Sequence, residues 1–207
     1  MHYGRINKCD IANGEGIRVS LFVSGCRNRC PGCFQPETWD FNYGREFTEM
    51  SENEIFSALE NDSVRGFTIL GGEPMEPENQ EALLPFLLKF KSRFPNKTIW
   101  LYTGNTLEEL LGNHRNHTAQ TDKILSLVDV LVDGRYDEKR HSLGLRFRGS
   151  ENQRVIDMNR TRAEGKIILL GIEDKIYENQ KNVITRKKGE FPMDEQLMQK
   201  QPPQSLG

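Results

Sequence analysis

The chain reads as an α/β protein with a parallel sheet, open or partly closed like a fragment of a βα barrel. Three observations carry that expectation: short apolar, β-branched runs recur, each ends at a glycine-bearing turn, and segments of helical period separate them. With 207 residues the chain suffices for one domain with a substantial core. That domain is expected over residues 1–171, followed by a polar extension over 172–207.

The first run, RVSLFVS at Arg18 to Ser24, stops at Gly25 and fits a buried strand entering a loop. Cys26 therefore stands at a strand's C-terminal end. An aromatic connection through Trp39, Phe41 and Tyr43 leads to Ser51 and Glu54, a capping-box pair ahead of Ile55, Ala58 and Leu59 at helical spacing. Phe67 to Leu70 is a second strand, closed by Gly71-Gly72-Glu73-Pro74. Glu78 to Phe94 follows with a helical pattern in which Pro85 predicts a kink or a break.

Thr98 to Tyr102 is a third strand, closed by Thr103-Gly104, with a short helix expected from about Leu107. Val128 to Val132 is a fourth, closed by Asp133-Gly134. Gln153 to Met158 and Lys166 to Leu170 are each expected to add a strand. After Gly171 Glu, Lys, Gln and Asn dominate, and from about Asn179 onward poor order is expected because little apolar surface offsets the entropy of ordering. Crossovers of one hand put every parallel strand's C-terminal end on the same edge, so the four closing turns should meet in one pocket.

A net charge of -2 and a pI near 6.1 leave no basic footprint, which disfavours nucleic acid as a partner. Met1 to Ile11 lacks the apolar core of a signal peptide, and no segment approaches the roughly 20 apolar residues of a membrane span. A cytoplasmic location is expected. Reducing conditions there disfavour disulfides and leave thiols free for metal.

Three of the 4 cysteines fall in one C-x3-C-x2-C cluster, Cys26, Cys30 and Cys33. Spacing alone admits zinc or an iron-sulfur centre. Structural zinc asks for four closed ligands, yet Cys9 lies far upstream, and His2, His114, His117 and His141 show no pairing with the triad. His114 and His117, in LGNHRNHTAQ, read as solvated loop residues. Three thiolates suit a cluster with one iron left free for a substrate or cofactor.

The cysteine motif after a first strand, with Phe34 following its last cysteine and Gly71-Gly72-Glu73-Pro74 in second place, resembles the radical S-adenosylmethionine superfamily. A narrower resemblance runs from about Asn7 to Met158. It rests on NGEGIRVSLFVSGC at Asn13 to Cys26, CPGCFQPETWDF at Cys30 to Phe41, VDVLVDGRYD at Val128 to Asp137 and LRFRGSENQRVIDM at Leu145 to Met158. These segments are similar to those of the activating proteins of anaerobic, class III ribonucleotide reductase.

The resemblance implies a parallel-sheet partial βα barrel of the radical S-adenosylmethionine type. It implies a [4Fe-4S] cluster on Cys26, Cys30 and Cys33, with S-adenosyl-L-methionine on the fourth iron. Reductive cleavage would give methionine and a 5'-deoxyadenosyl radical, which takes a hydrogen atom from a glycine of the reductase's large subunit. A low-potential donor such as flavodoxin would supply the electron. By the same resemblance Gly72 and Glu73 lie at the methionine amino group, and Gly32, Cys33 and Phe34 at the adenine end. Asp133 and Arg135 lie near the methionine carboxylate, and Asn13 to Gly16 near the partner's glycine loop. Tyr102-Thr103 departs from the acidic residue of pyruvate formate-lyase activators, which puts their cation site in doubt here. Two rivals stand beside this reading: a small-molecule radical enzyme like 7-carboxy-7-deazaguanine synthase, and a non-enzymatic iron-sulfur or zinc module.

Overall fold

A computed structural model describes residues 1–172, so the expected extension, apart from its first residue, and its expected disorder from Asn179 lie outside the described residues. The strands are β1 (His2–Asp10), β2 (Ile17–Val23), β3 (Arg45–Glu46), β4 (Val64–Gly71), β5 (Thr98–Tyr102), β6 (Val130–Asp133) and β7 (Arg154–Asp157). The helices are α1 (Glu49–Leu59), α2 (Pro77–Arg93), α3 (Leu107–Leu111), α4 (Thr121–Leu127) and α5 (Met158–Glu164).

The strands form one sheet in the order β3-β1-β2-β4-β5-β6-β7. Its centre, β2-β4-β5-β6, is parallel, as the alternation of strands and helices predicts. Both margins are antiparallel, which the sequence reading did not anticipate: β1 pairs with β2 and β3, and β7 with β6. The HYGRINKCD strand escaped because it carries few apolar residues and is exposed over much of its length. No strand forms over Lys166 to Leu170, where Leu169 makes only an isolated bridge to Ile156. Instead α5 follows β7 and closes at Gly165 in the left-handed conformation, φ 66°.

Period-2 alternation divides the sheet into two faces. Val19, Leu21, Phe67, Ile69, Ile99, Leu101, Leu131 and Ile156 join the main core, together with apolar residues of all five helices. Phe86 of α2 sits at its centre, stacked on Phe56 at 5.2 Å and edge-on to Phe67 at 5.3 Å. Burying each such ring contributes about 1.5–3 kcal/mol. The opposite face carries Trp100, Val130, Val132 and Val155 in a second cluster. Burial on both faces explains why the parallel strands read as continuous apolar runs.

Helix boundaries correct two expectations. Thr48 caps α1, and Ser51 stands at its third position, where its Oγ accepts a hydrogen bond from Thr48 N at 3.3 Å; Ser51 is therefore not the capping residue. Pro85 does not interrupt α2, which is assigned without a break from Pro77 to Arg93. Pro77 opens it, where a missing N–H is harmless.

Arg18 is the unexpected member of the first parallel strand. It is fully buried on the face opposite the main core, where Nε donates to Thr68 Oγ1 at 2.6 Å and Nη2 donates to Phe67 O at 2.8 Å and Thr98 O at 2.9 Å. Thr68 Oγ1 in turn donates to Asn13 O at 2.8 Å. One guanidinium thus ties β2, β4, β5 and the turn before β2 together.

Candidate metal centre

The cysteine loop leaves the C-terminal end of β2 and is pinned at once. Gly25 N donates to Thr38 O at 2.8 Å and Cys26 N to Trp39 O at 3.3 Å, so the loop leans on the 3-10 turn Pro36–Trp39. Between Cys26 and Cys30 the backbone bends through Arg29 at φ 45°, and between Cys30 and Cys33 through Gly32 at φ 68°. A side chain other than glycine rarely adopts such a φ, and such outliers cluster at functional sites.

The Gly-Gly-Glu-Pro turn lies against this loop. Gly72 N donates to Val23 O at 2.7 Å and Glu73 N to Gly25 O at 2.9 Å. A Cβ on Gly72 would stand 2.7 Å from Gly25 O and 3.0 Å from Thr38 O, so only glycine permits this approach. The Glu73 carboxylate is fully buried and accepts four hydrogen bonds. Asn28 Nδ2 donates at 2.9 Å, Met75 N at 2.9 Å, Thr103 Oγ1 at 2.8 Å and Gly104 N at 2.8 Å. Burial raises the Glu73 pKa above the ordinary carboxylate value, and the Met75, Thr103 and Gly104 hydrogen bonds oppose that rise.

A second buried carboxylate, Glu76, holds the other side of the loop. It accepts from Arg27 N at 2.9 Å and from Arg27 Nη1 at 2.6 Å. Asn79 Nδ2 donates to both Ser24 O at 3.0 Å and Glu73 O at 2.9 Å. The fastenings of the cysteine loop thus come from the 3-10 turn that follows it, the turn after β4, the start of α2 and the turn after β5.

A cavity of about 590 Å³ opens at this strand edge, lined by Cys26, Cys30, Cys33, Gly72, Thr103 and Gly134 among others. The four closing turns expected to meet do meet here. Glu73 and Phe34 also line it, whereas Gly32, Asp133 and Arg135 do not. Asp133 is buried, and its carboxylate accepts from Arg154 Nε at 2.9 Å and from Leu107 N, in the first turn of α3, at 2.8 Å. Arg135 is exposed, and its positive charge favours the Cys30 thiolate.

Burial pushes the Cys26 thiol up to about 12, with the Glu73 charge adding to the shift. Cys30 is raised by burial and by its neighbour Cys33. Such thiols stay protonated in the bare protein, and a bound metal reverses the balance by stabilising thiolate. Among the described residues no three His, Cys, Asp or Glu side chains converge for a single metal ion. A cluster makes a different demand, one thiolate for each of three irons, and three cysteines lining the same cavity suit it. Cys9 is exposed on β1, away from the loop.

Phe34 is 69% exposed and packs on Tyr136 at 5.0 Å and on His141 at 5.8 Å, all three rings lining the cavity. His114 and His117 serve their own loop, His114 Nδ1 accepting from Asn116 N at 3.3 Å and His117 Nδ1 bonding Leu110 O at 2.7 Å. Asn28, Glu76, Tyr136 and His141 were not singled out from the sequence for this site. Asn28 had a visible signal, a short amide inside the cysteine motif; the others gain their places only through the fold.

Residues 12–156 match the family model of the 4Fe-4S single cluster domain. That match and the cysteine-lined cavity at the strand edge define an iron-sulfur α/β protein. The chain is 39% identical over 155 residues to the anaerobic ribonucleoside-triphosphate reductase-activating protein of Enterobacteria phage T4, covering 75% of this chain and 93% of the relative. The Pasteurella multocida protein of that description is 40% identical, with 74% and 95% covered. The Escherichia coli K12 one is 36% identical, with 75% and 97% covered. The chain belongs to the family of anaerobic ribonucleoside-triphosphate reductase-activating proteins.

Proposed function

We propose that this protein is a radical S-adenosylmethionine activase that installs a glycyl radical on an anaerobic ribonucleoside-triphosphate reductase. The observation that carries the reading is the cavity itself: three cysteines and the glycine turn line one cavity of about 590 Å³, a volume that suits a small molecule. When bound, a reduced [4Fe-4S] cluster and S-adenosyl-L-methionine supply a 5'-deoxyadenosyl radical able to take a hydrogen atom from a peptide glycine.

The chain's own residues hold and orient. Cys26, Cys30 and Cys33 ligate the cluster, and the Gly72-Glu73 backbone receives the methionine amino group. Glu73 acts through position, because its carboxylate already accepts donors from three loops. Gly32, Cys33 and Phe34 face the adenine end. Arg135 supplies charge for the methionine carboxylate, with Asp133 bracing the same strand end through Arg154. The sheet in this reading is the partial βα barrel of the superfamily, with the opening at its strand edge left for the reductase's glycine loop.

A reducing cytoplasm suits the free thiols, and a low-potential donor such as flavodoxin is the proposed electron source. Among the described residues no helix is long and apolar enough to cross a membrane. The test is anaerobic cluster reconstitution, reduction with S-adenosyl-L-methionine present, and assay of 5'-deoxyadenosine with and without the reductase. Cleavage together with a glycyl radical signal on the reductase is the expected result. No cleavage in either case refutes the enzymatic reading, and cleavage without that signal removes the proposed substrate.

A further inference from the structure

The geometry points to His141 as an adenine-selecting residue of the cofactor pocket, in an aromatic cluster with Phe34 and Tyr136. This inference rests on the reading of the cavity as an S-adenosyl-L-methionine site and assigns to it a residue outside the cysteine and glycine motifs. Three rings meet at the cavity wall: Phe34 and Tyr136 at 5.0 Å, Phe34 and His141 at 5.8 Å, Tyr136 and His141 at 6.2 Å. Their interplanar angles of 52°, 61° and 67° leave them tilted rather than stacked on one another. A purine is a flat apolar body with a polar edge, and an aromatic wall of this kind suits its face.

The polar edge is where His141 adds selection. Its Nδ1 lies 2.9 Å from Gly149 O. A carbonyl can only accept, so Nδ1 carries the proton, and in the neutral ring Nε2 is left as an acceptor. An acceptor matches the exocyclic amino group of adenine and opposes the keto oxygen of a deaminated purine. The backbone is shaped for this contact: a Cβ on Gly149 would come within 3.1 Å of the Tyr136 ring and 3.4 Å of the Phe34 ring. Gly149 therefore lets its carbonyl reach His141 while both other rings keep their places. Its neighbour Ser150 is buried and fixed by Gln153, with Oε1 accepting from Gly149 N at 2.9 Å and Ser150 N at 3.1 Å.

The test is equilibrium binding of S-adenosylhomocysteine and of S-inosylhomocysteine to the cluster-reconstituted, unreduced protein, so no turnover is involved. The wild type is expected to prefer the adenine analogue by roughly tenfold, the worth of one well-placed hydrogen bond. His141→Phe keeps a ring and loses the acceptor, so that preference should fall to near unity while affinity for the inosine analogue stays. Tyr136→Leu should weaken both analogues by a similar factor and keep the preference. An unchanged preference in His141→Phe overturns the inference and leaves the cofactor reading standing. Failure of the wild type to bind either analogue overturns the cofactor reading and this inference with it.

Discussion

Asn28, between the first two cysteines, donates its side-chain amide to the Glu73 carboxylate at 2.9 Å. The same carboxylate holds Gly104 N and Thr103 Oγ1, so one buried anion couples the cysteine loop to two neighbouring strand ends. Arg115 extends the chain of contacts, Nη2 donating to Asn28 Oδ1 at 3.1 Å. The cysteines are thereby held by the fold before any metal arrives, which lowers the ordering cost of binding.

Replacing Glu73 with Gln tests this coupling. An amide keeps one acceptor oxygen and sets an NH2 against donors, leaving buried groups unsatisfied at a cost of about 1–3 kcal/mol. Anaerobic denaturant unfolding of E73Q should show that loss, and iron uptake during reconstitution should fall in parallel. Wild-type stability with wild-type iron content would remove the coupling role.

Gly72→Ala tests the approach of the two loops. The added methyl meets Gly25 O and Thr38 O, both backbone atoms that cannot swing aside. Overpacking of this kind costs about 1–3 kcal/mol. We expect a folded protein by far-ultraviolet circular dichroism with reduced cluster content, because the strain falls on the residue before Cys26. Full cluster content in G72A would mean that the loop yields freely.

The parallel centre was legible because β2, β4, β5 and β6 are short apolar runs closed by glycine turns. The shared strand edge followed from crossover handedness alone. The margins were legible only in part: β1, which mixes charge with a few apolar residues, was missed, β7 was read as a strand over Gln153 to Met158, and the strand expected over Lys166 to Leu170 does not form. At the site, the cysteines and the glycine turn announce themselves by spacing. Glu73 was expected at the cofactor, and the structure shows its carboxylate fastening loops, a role fixed by three partners far away in sequence. His141 carries no local pattern, since its meaning comes from Phe34 and Gly149 brought beside it by the fold.

Cysteine replacements separate the proposed cluster ligands from the proposed bystander. Cys30→Ala removes a thiol from the cavity and should abolish cluster assembly, read as iron and sulfide content after reconstitution. Cys9 is exposed on β1, whose Asp10 pairs with Arg18 at the start of β2, whereas the cysteine loop leaves the other end. A seven-residue strand is about 20 Å long, so Cys9→Ser should keep iron near the wild-type level. Iron loss in the Cys9 variant would overturn the ligand assignment.

Acid should loosen the second anchor of the strand edge. Arg154 donates to Glu108 through Nη1 at 3.0 Å and to Asp133 through Nε at 2.9 Å, joining α3, β6 and β7. The hydrogen bond from Arg154 lowers the Glu108 pKa from an ordinary 4.5 to about 2. A carboxylate whose folded pKa is depressed stabilises the fold fully above its unfolded pKa and loses that contribution as pH falls through the folded value. The window for Glu108 is therefore pH 4.5 down to about 2. Glu108 is more than half exposed, so solvent screening keeps the effect small. Melting temperature measured across that window should fall less steeply in Glu108→Gln than in the wild type. Parallel curves would show that the Glu108 contact contributes nothing to holding the strand edge.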